Sequence, residues 1–188
     1  MDLTLTRQEK VILLATARAA MRQHLGLGQA RHPEPTETLR QKGGAFVTLH
    51  SSEGRLRGCI GQTVASDPLI DTVRKVAVSS AFHDPRFPPV TADELEGLEL
   101  EISVLSPLRR IADIGEIEVG RNGILLRQGV HSGLLLPQVA TENGWDRETF
   151  LDHTCLKAGL SPGCWRAERT HIETFAAIVF NEAAIKAQ

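Results

Sequence analysis

Residues 98–105 alternate without a break. Leu98, Leu100, Ile102 and Val104 fall on one side of an extended chain, and Glu99, Glu101, Ser103 and Leu105 fall on the other. That period predicts a strand with one face on a core and a mainly polar face turned away from it. A half-buried strand needs partner strands and a layer to cover its apolar side. The preceding hundred residues hold candidates for both. Phe46–His50 is a β-rich run, Ser51-Ser52-Glu53-Gly54 is turn material, and Arg55–Gly61 returns, so a hairpin is predicted. Thr6-Arg7-Gln8-Glu9 reads as a capping box, in which the threonine side chain and the glutamate satisfy each other's backbone N–H. Val11, Leu14, Met21 and Leu25 then recur at helical spacing, with Gly26 as the stop. Asp67-Pro68 opens a second helix, with Asp67 as its cap and a stripe of Leu69, Val73, Val76 and Ala77 ending near Phe82.

The texture changes at Pro107. From there to Gly163 the segments are short and punctuated by glycine. Asn122-Gly123 predicts a hairpin turn between strands 117–120 and 124–128. Asp146 caps a helix that runs to Ala158, with Gly159 as its end. His171–Phe180, rich in Ile, Thr, Phe and Val, predicts a long last strand that returns to the first sheet. The order is neither alternating βαβ nor all-β. It predicts an α+β fold with a mainly antiparallel sheet flanked by helices. The large subdomain would comprise residues 1–107 and 165–188, and the smaller inserted α+β subdomain residues 108–164. Two stretches carry no element: a polar loop over residues 28–42, and the proline-rich segment His83–Val90, followed by a second capping box at Thr91–Glu94.

Composition narrows the functional classes. The 188 residues are 41% hydrophobic with a net charge of −2, which excludes a disordered chain. Six Phe, two Trp and no Tyr leave little for base stacking, and the charge gives no general attraction to phosphate, so a nucleic-acid role is disfavoured. Arg74-Lys75 and Arg109-Arg110 are the local exceptions. No apolar stretch is long enough to span a membrane, and the N-terminus lacks the basic and apolar regions of a secretory signal. Three unpaired cysteines, Cys59, Cys155 and Cys164, match no zinc spacing and suit a reducing, cytoplasmic setting. No metal or cofactor is predicted.

Chemistry concentrates in Leu56-Arg57-Gly58-Cys59-Ile60-Gly61. In a regular strand Arg55, Arg57 and Cys59 would share one face, and Leu56 and Ile60 the other. Two guanidiniums beside a thiol favour the thiolate, the reactive form, with Arg57 also able to hold an anion. Gly58 and Gly61 would admit a substrate or another backbone at close range. A buried structural cysteine between glycines is the competing reading. In the next loop Asp84 and Arg86 can clamp a carboxylate or phosphate, or simply fix the loop, and Phe87 is a core or cleft-wall residue. His131 lies between Gly129 and Gly133 and could serve as acid or base, as could Glu142; the alternatives are a solvated loop histidine and a helix cap. Trp145 is expected to pack between subdomains.

These residues carry a resemblance. Leu56–Gly61 is similar to the hallmark hexapeptide of the AMMECR domain family. Asp84-Pro85-Arg86-Phe87-Pro88-Pro89 resembles its second motif, and Leu136-Pro137-Gln138-Val139-Ala140 with Glu142 and Trp145-Asp146 its third. Cys155–Leu160 followed by Trp165 resembles the prokaryotic branch, the AmmeMemoRadiSam system A proteins. The similarity runs in order over residues 6–182. It implies a large subdomain built from both chain ends, a small middle one, and a cleft between them. It also implies a Memo-like protein and a radical SAM protein as partners. The family brings no settled activity, and its hallmark thiol carries over to Cys59.

Two functions then compete. One is a cytoplasmic enzyme or enzyme component acting on a small molecule or a protein side chain. Cys59, His131 and Glu142 would be its catalytic candidates, and Arg57, Gly58, Gly61, Asp84, Arg86 and Phe87 would bind the substrate. The other is a non-catalytic module that presents substrate or docks to the partners.

Overall fold

A computed structural model of the chain describes residues 4–28 and 33–186. Met1–Leu3 and residues 29–32 of the expected 28–42 loop lie outside the described residues. The chain forms two compact units, residues 1–105 with 178–188, and residues 106–177. The second boundary falls inside the last long strand rather than at Trp165. The fold is α+β with a mainly antiparallel sheet.

In the first unit, α1 (Arg7–His24) starts at the capping box, with Thr6 accepting from Glu9 N–H and the Glu9 carboxylate accepting from Thr6 N–H. Short α2 (Glu37–Arg40) lies within the expected loop. Strands β1 (Gly44–His50) and β2 (Leu56–Gln62) form the hairpin, and β3 (Glu99–Leu105) pairs with the far side of β1. Strand order is β2-β1-β3, with β7 (His171–Asn181) beside β3. Helix α3 (Leu69–Phe82) begins without a side-chain cap: Leu69 N–H donates to the Gln41 carbonyl, and Asp67 instead pairs with Lys75 at 3.0 Å. Helix α4 (Ala92–Leu95) carries the second capping box. Leu13, Met21, Val47, Leu49, Val73, Ala77, Leu100, Ile102 and Val104 meet in one apolar core, so the apolar sides of the strands face the helices. Arg18 ties this unit's ends together, donating to Glu182 and to the carbonyls of Leu95 and Leu98.

The second unit contains β4 (Arg109–Arg110), β5 (Asn122–Gln128), β6 (His131–Leu135), α5 (Pro137–Glu142), α6 (Arg147–Lys157) and the first part of β7. Its hairpin turns at Gly129-Val130 and not at Asn122-Gly123, which corrects the sequence expectation. Gly129 takes the positive φ that the turn needs. Asn122 opens β5, its side chain accepting from Glu118 N–H at 2.8 Å. Asp146 caps α6 as expected. Another difference is covalent: Cys155 and Cys164 are joined in a disulfide, so the chain does not carry three unpaired cysteines. Their nine-residue separation matched no zinc pattern, and a bridge was not expected from it. The bridge links α6 to the turn Cys164–Arg166. That turn is also held by Asp152, which accepts from Gly163 N–H and Trp165 Nε1, both at 2.7 Å. Among the described residues, no helix is long and apolar enough to cross a membrane.

Candidate functional site

Strand β2 is not regular, and its irregularity places the thiol. Gly58 lies opposite Leu49, but Leu56 lies opposite His50, so Arg57 is an extra residue, a β-bulge. Counting back from a regular turn would set Cys59 against Val47, on the core side. The bulge sets it against Thr48 instead, because a slip of one residue exchanges the faces of a strand. Leu56, 42% exposed, therefore shares the face of Cys59, while Ile60 pairs with core-facing Val47. Arg55 lies before the first residue of β2 and outside the expected grouping with Cys59. Arg55 pairs with Glu53.

The Thr48 hydroxyl donates to Cys59 Sγ at 3.3 Å. Thr48 is in turn opposite Glu101 of β3, so Cys59, Thr48 and Glu101 form one row across three strands. The next row along this face contains His50 and Glu99. Cys59 is half-buried, and it is the one unbridged cysteine of the three.

The backbone of Cys59 is fixed from the outer edge of β2. Its N–H donates to Asp84 Oδ2 at 2.9 Å, and its carbonyl accepts from Arg86 Nη2 at 3.1 Å. Asp84 and Arg86 thus take the place that a neighbouring strand's peptide would fill, and they block the open edge. They also hold each other: Arg86 Nε and Nη2 bond the two carboxylate oxygens at 2.9 and 2.6 Å, a bidentate pair. Arg86 keeps the buried Asp84 carboxyl well below the usual carboxylate range, outweighing burial, with further help from the N–H groups of Cys59 and Arg86. Asp84 in return raises Arg86, to which the Cys59 side chain adds a smaller contribution.

Arg57, re-aimed by the bulge, bonds Glu94 of α4 through Nε at 2.7 Å and Nη2 at 3.0 Å. Glu94 is thereby held below its usual range, chiefly by Arg57 and also by Thr91 N–H. Arg57 Nη1 is buried with no hydrogen-bond partner among the described residues. Both guanidiniums lie over the Phe87 ring, Arg57 at 6.0 Å and Arg86 at 5.4 Å from its centroid.

The two glycines do different work. A Cβ on Gly58 would stand 2.2 Å from the Ser80 carbonyl oxygen, so α3 packs directly on the strand there. Ser80 Oγ reinforces the contact, accepting from Ile60 N–H at 2.8 Å and donating to the Val47 carbonyl at 2.7 Å. A Cβ on Gly61 would meet the Phe46 ring, which lies over it.

Arg57, Gly58, Cys59, Gly61, Asp84, Arg86 and Phe87 all belong to the first unit, and Asp84, Arg86 and Phe87 converge on the Cys59 strand. His131 and Glu142 belong to the second. His131 opens β6 with Nδ1 3.2 Å from the Ala158 carbonyl oxygen, and exposed Glu142 ends α5. Trp145 stacks on His153 at 3.8 Å and packs on the second unit's core. Sequence reasoning missed Thr48, Ser80 and the partnership of Glu94 with Arg57. Glu94 is legible only as a cap residue, and Thr48 could be paired with Cys59 only by knowing the bulge. Among the described residues, no group of three His, Cys, Asp or Glu side chains could hold a metal ion.

A model of the AMMECR1 family matches residues 14–180. A protein of Methanothermobacter thermautotrophicus is 45% identical over 186 residues, covering 95% of this chain and 96% of that one. A Methanopyrus kandleri protein is 42% identical over 187 residues, covering 95% and 90%. The crystal structure of an uncharacterized Pyrococcus horikoshii protein superposes with a TM-score of 0.80 at 43% identity, covering 90% of this chain and 89% of the other. The hallmark strand with its pinned cysteine and the match over most of its length lead to one conclusion: the chain belongs to the AMMECR1 family.

Proposed function

We propose that this chain is an enzyme or enzyme component that uses the Cys59 thiol, in concert with a Memo-like and a radical SAM protein. The observation that carries the reading is the placement of Cys59. A bulge turns the thiol away from the core, a hydroxyl donates to the sulfur, and an ion pair with a buried carboxylate fixes the backbone on both sides of it. A structural cysteine needs none of these; it needs only apolar neighbours. A rigid backbone orients the sulfur for attack. His131 and Glu142 remain candidates for acid–base work in this reading. The basic pairs named as support for nucleic-acid binding are largely committed elsewhere: Arg74 to Asp71, Lys75 to Asp67 and Arg109 to Glu116.

The test has two stages. Iodoacetamide at neutral pH should label native protein at Cys59, well above the rate of the same residue in urea-unfolded chain. The wild-type protein and Cys59→Ser should then be incubated with the two partner proteins, and small molecules and protein modifications profiled. Loss of the product in a folded Cys59→Ser protein supports the thiol's role. Full function in that variant leaves the docking module as the correct reading.

A further inference from the structure

We propose that Arg86 is the oxyanion receptor of the Cys59 site, so that the molecule meeting the thiol carries a carboxylate or phosphate. This rests on the reading of Cys59 as the working thiol. Two guanidiniums flank Phe87, and they are not equivalent. Arg57 is 14% exposed, and both nitrogens of one edge are spent on Glu94. It positions α4 and the ring and is closed to a ligand from solvent. Arg86 is 52% exposed. Its Nε and Nη2 hold Asp84, and Nη2 also holds the Cys59 carbonyl. Nη1 bonds no oxygen or nitrogen among the described residues, and the half-open side chain keeps a permanently charged group at the surface beside the thiol strand.

Asp84 makes this arrangement specific. It is 2% exposed, so its charge is spent inward on Arg86 and on two backbone N–H groups. The pair is neutral as a whole but oriented, with carboxylate inside and guanidinium outside. An incoming oxyanion meets the positive end first. The same guanidinium touches the Cys59 backbone, so a bound anion sits next to the thiol and not at a remote patch. A small anionic electrophile is thereby the class of molecule this site selects. A neutral one gains only a weaker hydrogen bond from Nη1, and a bulky apolar side chain of a protein would bury the guanidinium unpaired.

The experiment compares two alkylating agents that differ in charge. In each, the Cys59 thiolate supplies the electron pair of the new S–C bond, the C–I bond breaks, iodide leaves, and the thiol proton goes to solvent. Iodoacetamide reads the reactivity of the thiol; iodoacetate reads the same reactivity plus attraction to an oxyanion. The iodoacetate-to-iodoacetamide rate ratio at Cys59 should exceed that of free cysteine about tenfold, the gain of one charge-assisted hydrogen bond at a partly exposed site. It should fall to the free-cysteine value in Asp84→Asn/Arg86→Gln, which removes the pair together and leaves no buried lone charge, and be kept in part by Arg86→Lys. Protection of Cys59 by inorganic phosphate in preference to acetate would mark a phosphate ligand, and the reverse a carboxylate. A wild-type ratio equal to that of free cysteine overturns the proposal while leaving the thiol reading intact, and it needs no variant to fold. A raised ratio that persists in the double variant overturns the assignment to Arg86. Failure of both reagents to label Cys59 overturns the thiol reading, and this proposal with it.

Discussion

The Thr48 hydroxyl donates to the sulfur of Cys59 across the first hairpin, at 3.3 Å, and it does so because one residue too many is built into the return strand. Arg57 is that residue. Without it Cys59 would lie opposite Val47, a fully buried core side chain. The bulge therefore separates a structural cysteine from an accessible one, and it simultaneously swings Arg57 toward Glu94 and Phe87.

The hydroxyl's contribution can be isolated. Thr48→Val keeps the β-branched shape and removes only the donor. A hydrogen bond of this kind is worth about 1 kcal/mol. Alkylation of Cys59 by iodoacetamide at pH 7 should slow about three- to fivefold, with thermal stability changed little. Stopped-flow or mass-spectrometric labelling measures it; an unchanged rate means that the hydroxyl does not act on the sulfur.

The hallmark glycines should separate under substitution. At Gly58 a Cβ would strike the Ser80 carbonyl, which α3 cannot withdraw without opening the Ser80 bridge to β1 and β2. Gly58→Ala should cost about 3 kcal/mol or more, the upper end for overpacking. At Gly61 the obstacle is the Phe46 ring, a side chain that can rotate aside. Gly61→Ala should cost about 1 kcal/mol. Urea denaturation of both variants decides the order, and equal losses would refute the backbone argument.

That contrast also shows what the chain discloses on reading and what it hides. Local signals were sufficient where the physics is local. The Thr6–Glu9 and Thr91–Glu94 boxes, the strand at 99–105 and the Asp146 cap all appear in the structure, although burial alternates only as far as Ile102, and Ser103 and Leu105 are buried too. The site was legible as a cluster of motifs, because Cys59, Asp84, Arg86 and Phe87 carry distinctive chemistry in short segments. Its wiring was not. A bulge leaves no mark on composition, and the pairing of Asp84 with an amide twenty-five positions away is set by how α3 lies on the sheet. Asn122-Gly123 misled for a related reason. An Asn-Gly pair fits a tight turn, but here Gly123 is needed where the Phe175 ring crosses β5, and the turn falls to Gly129.

Acid should loosen α1 before the site. Burial raises the Glu9 carboxyl, but hydrogen bonds from Thr6 N–H and from the Thr36, Thr6 and Thr38 side chains win, lowering it from 4.5 to about 2. A carboxyl depressed on folding stabilises the protein above its unfolded value, and that contribution is lost as pH falls through the folded one. Stability should therefore decline between about pH 4.5 and 2. Glu9→Gln should be about 2 kcal/mol less stable than wild type at pH 7, as expected for hydrogen bonds to a charged acceptor, with the gap closing toward pH 2. Denaturation midpoints across that range test the sign. A gap that widens in acid would contradict it.

The Cys155–Cys164 bridge makes a prediction that bears directly on the thiol chemistry. Thiol titration of native protein should return one group, Cys59, and titration after reduction and unfolding should return three. The bridge closes a short loop, its two cysteines nine positions apart. Closing a loop of that size removes about 2.5–3 kcal/mol of unfolded-chain entropy in the simple chain model. Cys155→Ala/Cys164→Ala should lose about that much, and not the fold, because Asp152 still holds Gly163 and Trp165 against α6. The same variant leaves Cys59 as the only cysteine, so every labelling rate measured on it belongs to the site. A labelling rate equal to that of wild type would show that the bridge stabilises the second unit without tuning the thiol; a changed rate would make the bridge part of the site's control.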